Sequence, residues 1–166
     1  MSFEEIKNLL VARFGDGIIV GEETGKLQPA LLIDPDRIVE VCLELRNNPK
    51  TYFDFLSNLS GVDYGVEAGK FGVVYHLASI PHGGALLTLK VVKEHDRSGD
   101  SLPEFKSIVS VYGAADWHER EAYDMLGIWF EGHPDLRRIL LPDDWEGFPL
   151  RKDYKNAEYY KGIKID

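Results

Sequence analysis

From residue 3 onward the apolar positions recur three and four apart: Phe3, Ile6, Leu9, Leu10 and Phe14 share one side of a helix, with Arg13 beside the last. Ser2, ahead of Glu4 and Glu5, supplies an N-cap and an acidic first turn. Gly15-Asp16-Gly17 ends the helix. Ile18–Val20 then reads as a short strand, Glu22–Lys26 as a turn and Leu27–Ile33 as a second apolar run. Asp34-Pro35 opens a second helix, with Pro35 at its first position and Ile38, Val39, Cys42, Leu43 and Leu45 recurring on one side; Asn47-Asn48-Pro49 stops it.

From Tyr52 the pattern turns to β-type runs, Tyr52–Tyr64, Phe71–Ile80 and Ala85–Val92, parted by glycine-containing turns at Gly65–Lys70 and Pro81–Gly84. In the first run Phe53, Phe55, Leu56 and Leu59 are dense enough to allow a helical segment, which would leave Ser60–Tyr64 alone as strand. Lys93–Ser101 is a polar turn. After Leu102-Pro103 the spacing of Phe105, Ile108, Val109 and Tyr112 predicts a short helix over Glu104–Val111, and Ala114-Ala115-Asp116 introduces another from Trp117 to Leu126. The order α-β-β-α-β-β-β followed by short helices predicts an α+β fold over residues 1–126. It has two layers, with the helices packed on one face of a mixed, mostly antiparallel sheet.

Periodicity stops at Gly127. Residues 127–166, 40 in all, hold three Pro and four Gly, which interrupt every candidate element. They also hold seven aromatics: Trp129, Phe130, Trp145, Phe148, Tyr154, Tyr159 and Tyr160, together with Ile139, Leu140 and Leu141. Exposed apolar patches beyond a few hundred Å² mark interaction sites, so this segment needs cover from its own domain or from another chain. Trp, Tyr and Arg together favour a partner, and residues 127–166 are read as an extended docking arm.

Charge refines that picture. The chain carries a net −9, which argues against a coat for nucleic acid or anionic lipid. The arm itself is near-neutral, with seven basic against eight acidic residues. Arg120 and Asp124 form an i,i+4 pair on the last helix, and Arg137, Arg138, Arg151 and Lys152 stand near Asp135, Asp143, Asp144 and Asp153. Surface ion pairs would be worth roughly 0–1 kcal/mol each. Desolvated arginine forks would instead tie the arm into defined geometry.

The single cysteine, Cys42, lies in an apolar helix and excludes a disulfide framework or a Cys-based cluster; a reducing compartment fits. The acidic N-terminus has neither signal-peptide nor transit-peptide character. Phe71–Leu89 lacks Asp, Glu, Lys and Arg over 19 residues, the length of a membrane helix, but Pro81-His82-Gly83-Gly84 breaks it into a hairpin.

Candidate chemistry is sparse. Trp117-His118-Glu119-Arg120-Glu121 resembles part of a zinc helix, yet position 122 is Ala where a second His is required. A metal-dependent hydrolase using His118, Glu121 and Asp124 is thus the alternative from a different class, and a free adaptor whose arm folds back is another. His133-Pro134 reads as a turn held by imidazole hydrogen bonds. No phosphate loop, dinucleotide fingerprint or nucleophile elbow is present, so no catalytic, cofactor or metal residue is nominated.

Glu119–Gly127 (EREAYDMLG), Gly132–Leu140 (GHPDLRRIL) and the run Asp144-Trp145, Gly147, Pro149–Tyr154 (PLRKDY) resemble the C subunit, the 30 kDa-type subunit, of proton-translocating NADH:quinone oxidoreductase, respiratory complex I. The resemblance implies a peripheral subunit on the cytoplasmic side of the inner membrane, without catalytic or cofactor site. FMN, iron–sulfur clusters and quinone would belong to other subunits. The implied main partner is the D subunit, which helps form the quinone cavity, with the B and I subunits nearby. The implied partner-interface residues are Glu119, Arg120, Glu121, Asp124, His133, Pro134, Arg137, Arg138, Trp145, Arg151 and Tyr154. Related ion-translocating hydrogenases and ferredoxin- or coenzyme-linked dehydrogenases carry a similar subunit and are the alternative assemblies.

Overall fold

The first helix, α1 (Phe3–Phe14), is defined by its cap: the Glu5 N–H donates to Ser2 Oγ at 3.3 Å and the Ser2 N–H donates to Glu5 Oε2 at 2.7 Å. This reciprocal pair satisfies two end donors that the helix itself leaves open. In the computed structural model, which describes residues 1–25 and 28–165, a tight turn at Asp16–Ile18 leads into β1 (Ile19–Glu23) and then β2 (Ala30–Ile33). The strand expected at Ile18–Val20 is therefore longer and starts later. Lys26 and Leu27, part of the expected turn and of the second apolar run, lie outside the described residues. Asp34 caps a short turn at Pro35–Arg37 by accepting the Asp36 N–H at 3.0 Å, and α2 (Ile38–Asn47) follows directly.

Three strands come next: β3 (Phe55–Asp63), β4 (Lys70–Ser79) and β5 (Ala85–Glu94). The open question over residues 52–64 is settled in favour of a strand, with a bulge at Ser57 that keeps Leu56 and Leu59 both facing the core. The sheet order is β1-β2-β5-β4-β3, antiparallel throughout except for the β2–β5 pair. Phe71, Val73, Tyr75 and Leu77 of β4 alternate onto one face with Leu87, Leu89 and Val91 of β5. Ile6 and Leu10 of α1 and Val41, Cys42 and Leu45 of α2 complete this core. The last helix, α3 (Ala115–Leu126), lies over β3. Its approach depends on Gly61, where a Cβ would stand 2.7 Å from Leu126 Cδ1 and 2.9 Å from Ile128 Cδ1. The fold is thus α+β, with helices on one face of a mostly antiparallel sheet.

One expected helix is absent. Glu104–Lys106 is instead a strand, β6, paired in parallel with β7 (Trp129–Glu131), and Ile108–Tyr112 is a single tight turn. Phe105, Ile108, Val111 and Tyr112 are all buried, so the apolar spacing was real. Its backbone hydrogen bonds, however, go to β7 and to the Glu119 carboxylate, which accepts the Ile108 N–H at 2.8 Å. A three-residue pairing partner 25 positions away overrode the local period. Ile128 and Phe130, just past the expected boundary at Gly127, are also core residues.

Among the described residues no helix is long and apolar enough to cross a membrane.

Candidate functional site

The site is the junction between α3 and the segment that follows it. Gly127 ends the helix in the left-handed conformation, φ +66°, with its N–H donating to Tyr123 O. A Cβ there would stand 2.5 Å from the Phe148 ring, so the returning chain closes directly on the helix end.

Asp124 is the centre of the closure. It is fully buried, and its Oδ2 accepts the N–H groups of Ile139 (3.1 Å), Leu140 (2.7 Å) and Leu141 (2.9 Å). Its Oδ1 accepts from Arg138 Nη1 at 2.6 Å. Burial pushes this carboxyl up, but the Leu141 N–H, the Arg138 guanidinium and the Leu140 and Ile139 N–H groups outweigh it and hold the pKa below the ordinary range. Arg138 in turn donates to the carbonyls of Asp124, Trp145 and Gly147, at 3.1, 3.0 and 3.0 Å, and lies over the Phe148 ring. One fork thereby ties two distant points of the segment to the helix.

Two further arginines extend the clamp. Arg120 donates to the carbonyls of Arg137 (3.3 Å) and Arg138 (3.2 Å) beneath the Trp117 ring. It is Arg138, not Arg120, that pairs with Asp124, so the expected i,i+4 surface pair is replaced by two buried side chains reaching the arm. Arg151 donates through Nε to Leu126 O at 2.6 Å and through Nη2 to Gly127 O at 3.3 Å, placing a cation on the carbonyl end of α3. Its guanidinium stands between the Phe71 and Phe148 rings.

A second carboxylate works in the same way and was not nominated from the sequence. Asp63, at the end of β3, pairs with Arg97, and the two side chains are 1% and 7% exposed. Asp63 also accepts the Lys152 N–H at 2.8 Å and the Gly65 N–H at 2.8 Å. Arg97 covers the Phe71 ring at 4.4 Å. The available signal was a lone acid closing an apolar strand, which a turn explains equally well.

The other nominated residues have different surroundings. Glu119 is fully buried and faces inward to the Ile108 N–H; burial raises its pKa to about 7, partly offset by the Ser107 hydroxyl and that N–H. His133 accepts the Asp135 N–H at Nδ1 (3.0 Å), which leaves Nε2 as donor to Asp116 O (3.2 Å). The imidazole therefore holds the turn containing the exposed Pro134. Arg137 forms an exposed ion pair with Asp135 at 2.8 Å. Trp145 donates to Tyr154 Oη at 3.2 Å and packs on Tyr160, whose hydroxyl donates to Asp144. Glu121 is exposed on α3.

The segment's inner face is therefore covered by its own domain: Phe130 is buried, and Ile139, Leu141, Trp145, Phe148, Tyr154 and Tyr160 are partly so. Outward remain Trp117 (66% exposed), Leu140 (63%), Leu150 (58%), Tyr159 (60%) and Ile163 (69%). A metal reading of His118, Glu121 and Asp124 loses its third ligand, because the Asp124 oxygens are taken up by four donors. Among the described residues no three His, Cys, Asp or Glu side chains gather around a common point.

Residues 31–160 match the family described as respiratory-chain NADH dehydrogenase, 30 Kd subunit. The chain is 44% identical to the NADH-quinone oxidoreductase C subunit of Chlorobium phaeobacteroides over 98% of both chains. It is 42% identical to the protein of the same name from Chloroherpeton thalassium, over 99% of this chain and 64% of that one. Its fold is similar to the trypsin-resistant fragment (1-134) of Nqo5, with a TM-score of 0.62 and 28% identity over 82% of this chain and all of that fragment. With both the family match and near full-length relatives in agreement, the chain belongs to the 30 kDa subunit family of respiratory-chain NADH dehydrogenase and is a C-type subunit of an NADH-quinone oxidoreductase complex.

Proposed function

We propose that this chain is an attachment subunit: it brings no reacting group of its own and docks beside the quinone cavity on the D subunit, with the B and I subunits close by. FMN, iron–sulfur clusters and quinone belong to other subunits of the complex, and the assembly sits peripherally on the cytoplasmic side of the membrane. Through this docking it supports electron transfer from NADH to quinone coupled to proton translocation.

One observation carries the reading. The segment after Gly127 is held on the domain by the Asp124 and Asp63 carboxylates, yet presents Leu140, Tyr159 and Ile163 to solvent. Rigid, outward apolar and aromatic anchors on a preorganised backbone are the residues that dominate interface energy. The segment is not an unstructured tail that must order on binding, so little conformational entropy is lost when it docks.

The test is a variant that removes anchors and leaves the clamp. Leu140→Ser, Tyr159→Ser and Ile163→Ser together should lower co-purification with the detergent-solubilised complex at least ~10-fold, with an unchanged thermal midpoint. Full retention of the variant in the complex would overturn the proposal. Truncation is a poorer test if cut at Gly127, because it strips Ile128 and Phe130 from the core.

A further inference from the structure

β3 is an outer strand of the sheet, and among the described residues nothing pairs with its outer backbone edge. The arm passes close by without using it. Leu150 donates its N–H to Met125 O on α3, and Lys152 donates to Asp63 at the strand's far end. Residues 58–62, beyond the bulge at Ser57, are left open. Proteins normally blunt such an edge, because it offers a row of unpaired donors and acceptors to any extended chain.

Beside this edge, α3 and β3 enclose a cleft of about 200 Å³. Leu59, Met125, Leu126 and Leu150 supply its apolar wall, while Ser60 on the strand and His118 and Glu121 on the helix supply its polar wall. The exposed Glu121 carboxylate makes no hydrogen bond or ion pair with the described residues. Acids elsewhere on this surface are commonly closed by a partner, as in Glu22 with Lys7, Glu40 with Arg37 and Asp135 with Arg137.

We propose that this edge and cleft receive an extended, basic segment of a neighbouring subunit. The segment adds as a strand along residues 58–62, places one aliphatic side chain in the cleft and sets a Lys or Arg against Glu121. Backbone geometry selects the conformation, since only an extended chain satisfies a strand edge. Charge selects the partner: a chain of net −9 with an unpaired carboxylate at the cleft favours a basic segment and disfavours a second copy, which would bring the same acidic surface against itself. The inference rests on the attachment reading for the source of the segment, but it uses a surface apart from Leu140, Tyr159 and Ile163.

Two measurements on the intact complex test it. Hydrogen exchange at residues 58–62 should slow at least ~10-fold on going from the free chain to the complex, at alternate positions, as hydrogen bonding by an added strand requires. A photo-crosslinking residue at Ser60 should capture one segment carrying Lys or Arg beside aliphatic residues, and Glu121→Arg should lower that crosslink at least ~5-fold. Unchanged exchange at 58–62 in a chain that remains in the complex would overturn this inference and leave docking through the arm standing. A crosslink to an acidic segment, to a helix or to a second copy would also overturn it. Retention of the triple serine variant would instead count against the arm alone.

Discussion

Replacing Asp124 by Ala removes the acceptor for four donors at once: the N–H groups of Ile139, Leu140 and Leu141, and Arg138 Nη1. The N–H groups lie at half-buried or exposed residues, and water can replace much of what they lose. Arg138 is different. Its side chain is only 13% exposed, so the substitution leaves a largely buried cation without its counter-ion. Breaking one side of such a pair costs about 3–5 kcal/mol when burial is complete, and partial solvent access with three retained carbonyl acceptors places this case near ~3 kcal/mol. For a domain of this size that corresponds to a fall in thermal midpoint of ~6–12 °C. The loss should be largest locally: residues 139–141 should lose more hydrogen-exchange protection than α1. Removing both partners, as Asp124→Ala with Arg138→Leu, should cost less than the sum of the single changes, because no buried charge remains. The lowered pKa of Asp124 adds a pH signature. Its contribution is present above the unfolded carboxyl value and is lost as pH falls through the folded one. A midpoint shift under ~2 °C, or unchanged exchange at 139–141, would refute the clamp.

Two other substitutions probe the same helix. The raised pKa of Glu119, about 7 against 4.5, makes the folded state bind this proton more tightly; stability is fullest below pH 4.5 and falls as pH rises through 7. Glu119→Gln should abolish that decline and stabilise the chain at pH 8 by roughly 3 kcal/mol, as read from urea midpoints, and parallel pH profiles for both proteins would show the reasoning to be mistaken. Gly61→Ala puts a methyl 2.7 Å from Leu126 Cδ1 and 2.9 Å from Ile128 Cδ1. It should cost about 1–3 kcal/mol by forcing α3 away from β3, and an unaltered denaturation midpoint would contradict so close a contact.

The chain's own pattern determined a great deal of this. Helical spacing with Ser2 as cap placed α1, Asp34-Pro35 placed the start of the second helical region, and alternation between Gly-containing turns placed the sheet's central hairpin, β4 and β5. These are local preferences, decided within a few residues. Together they were sufficient for the α+β class. The signature from Glu119 to Tyr154 was enough to point to the family, because residue types and spacing are legible without coordinates.

What only the tertiary structure decided is where the charges go. A helix reading ADWHEREAYDML assigns Glu119, Arg120 and Asp124 to solvent by polarity alone, yet all three are buried. Their partners lie far along the chain or on other elements: the Ile108 N–H, the carbonyls of Arg137 and Arg138, and the N–H groups of Ile139 to Leu141. Desolvation of a charge is tolerated only where its partner is held in place, and that placement exists only after the arm has folded back. For the same reason Asp63 and Arg97 escaped notice, and Glu104–Lys106 became a strand instead of a helical turn. Each state was set by a partner distant in sequence, which no window along the chain contains.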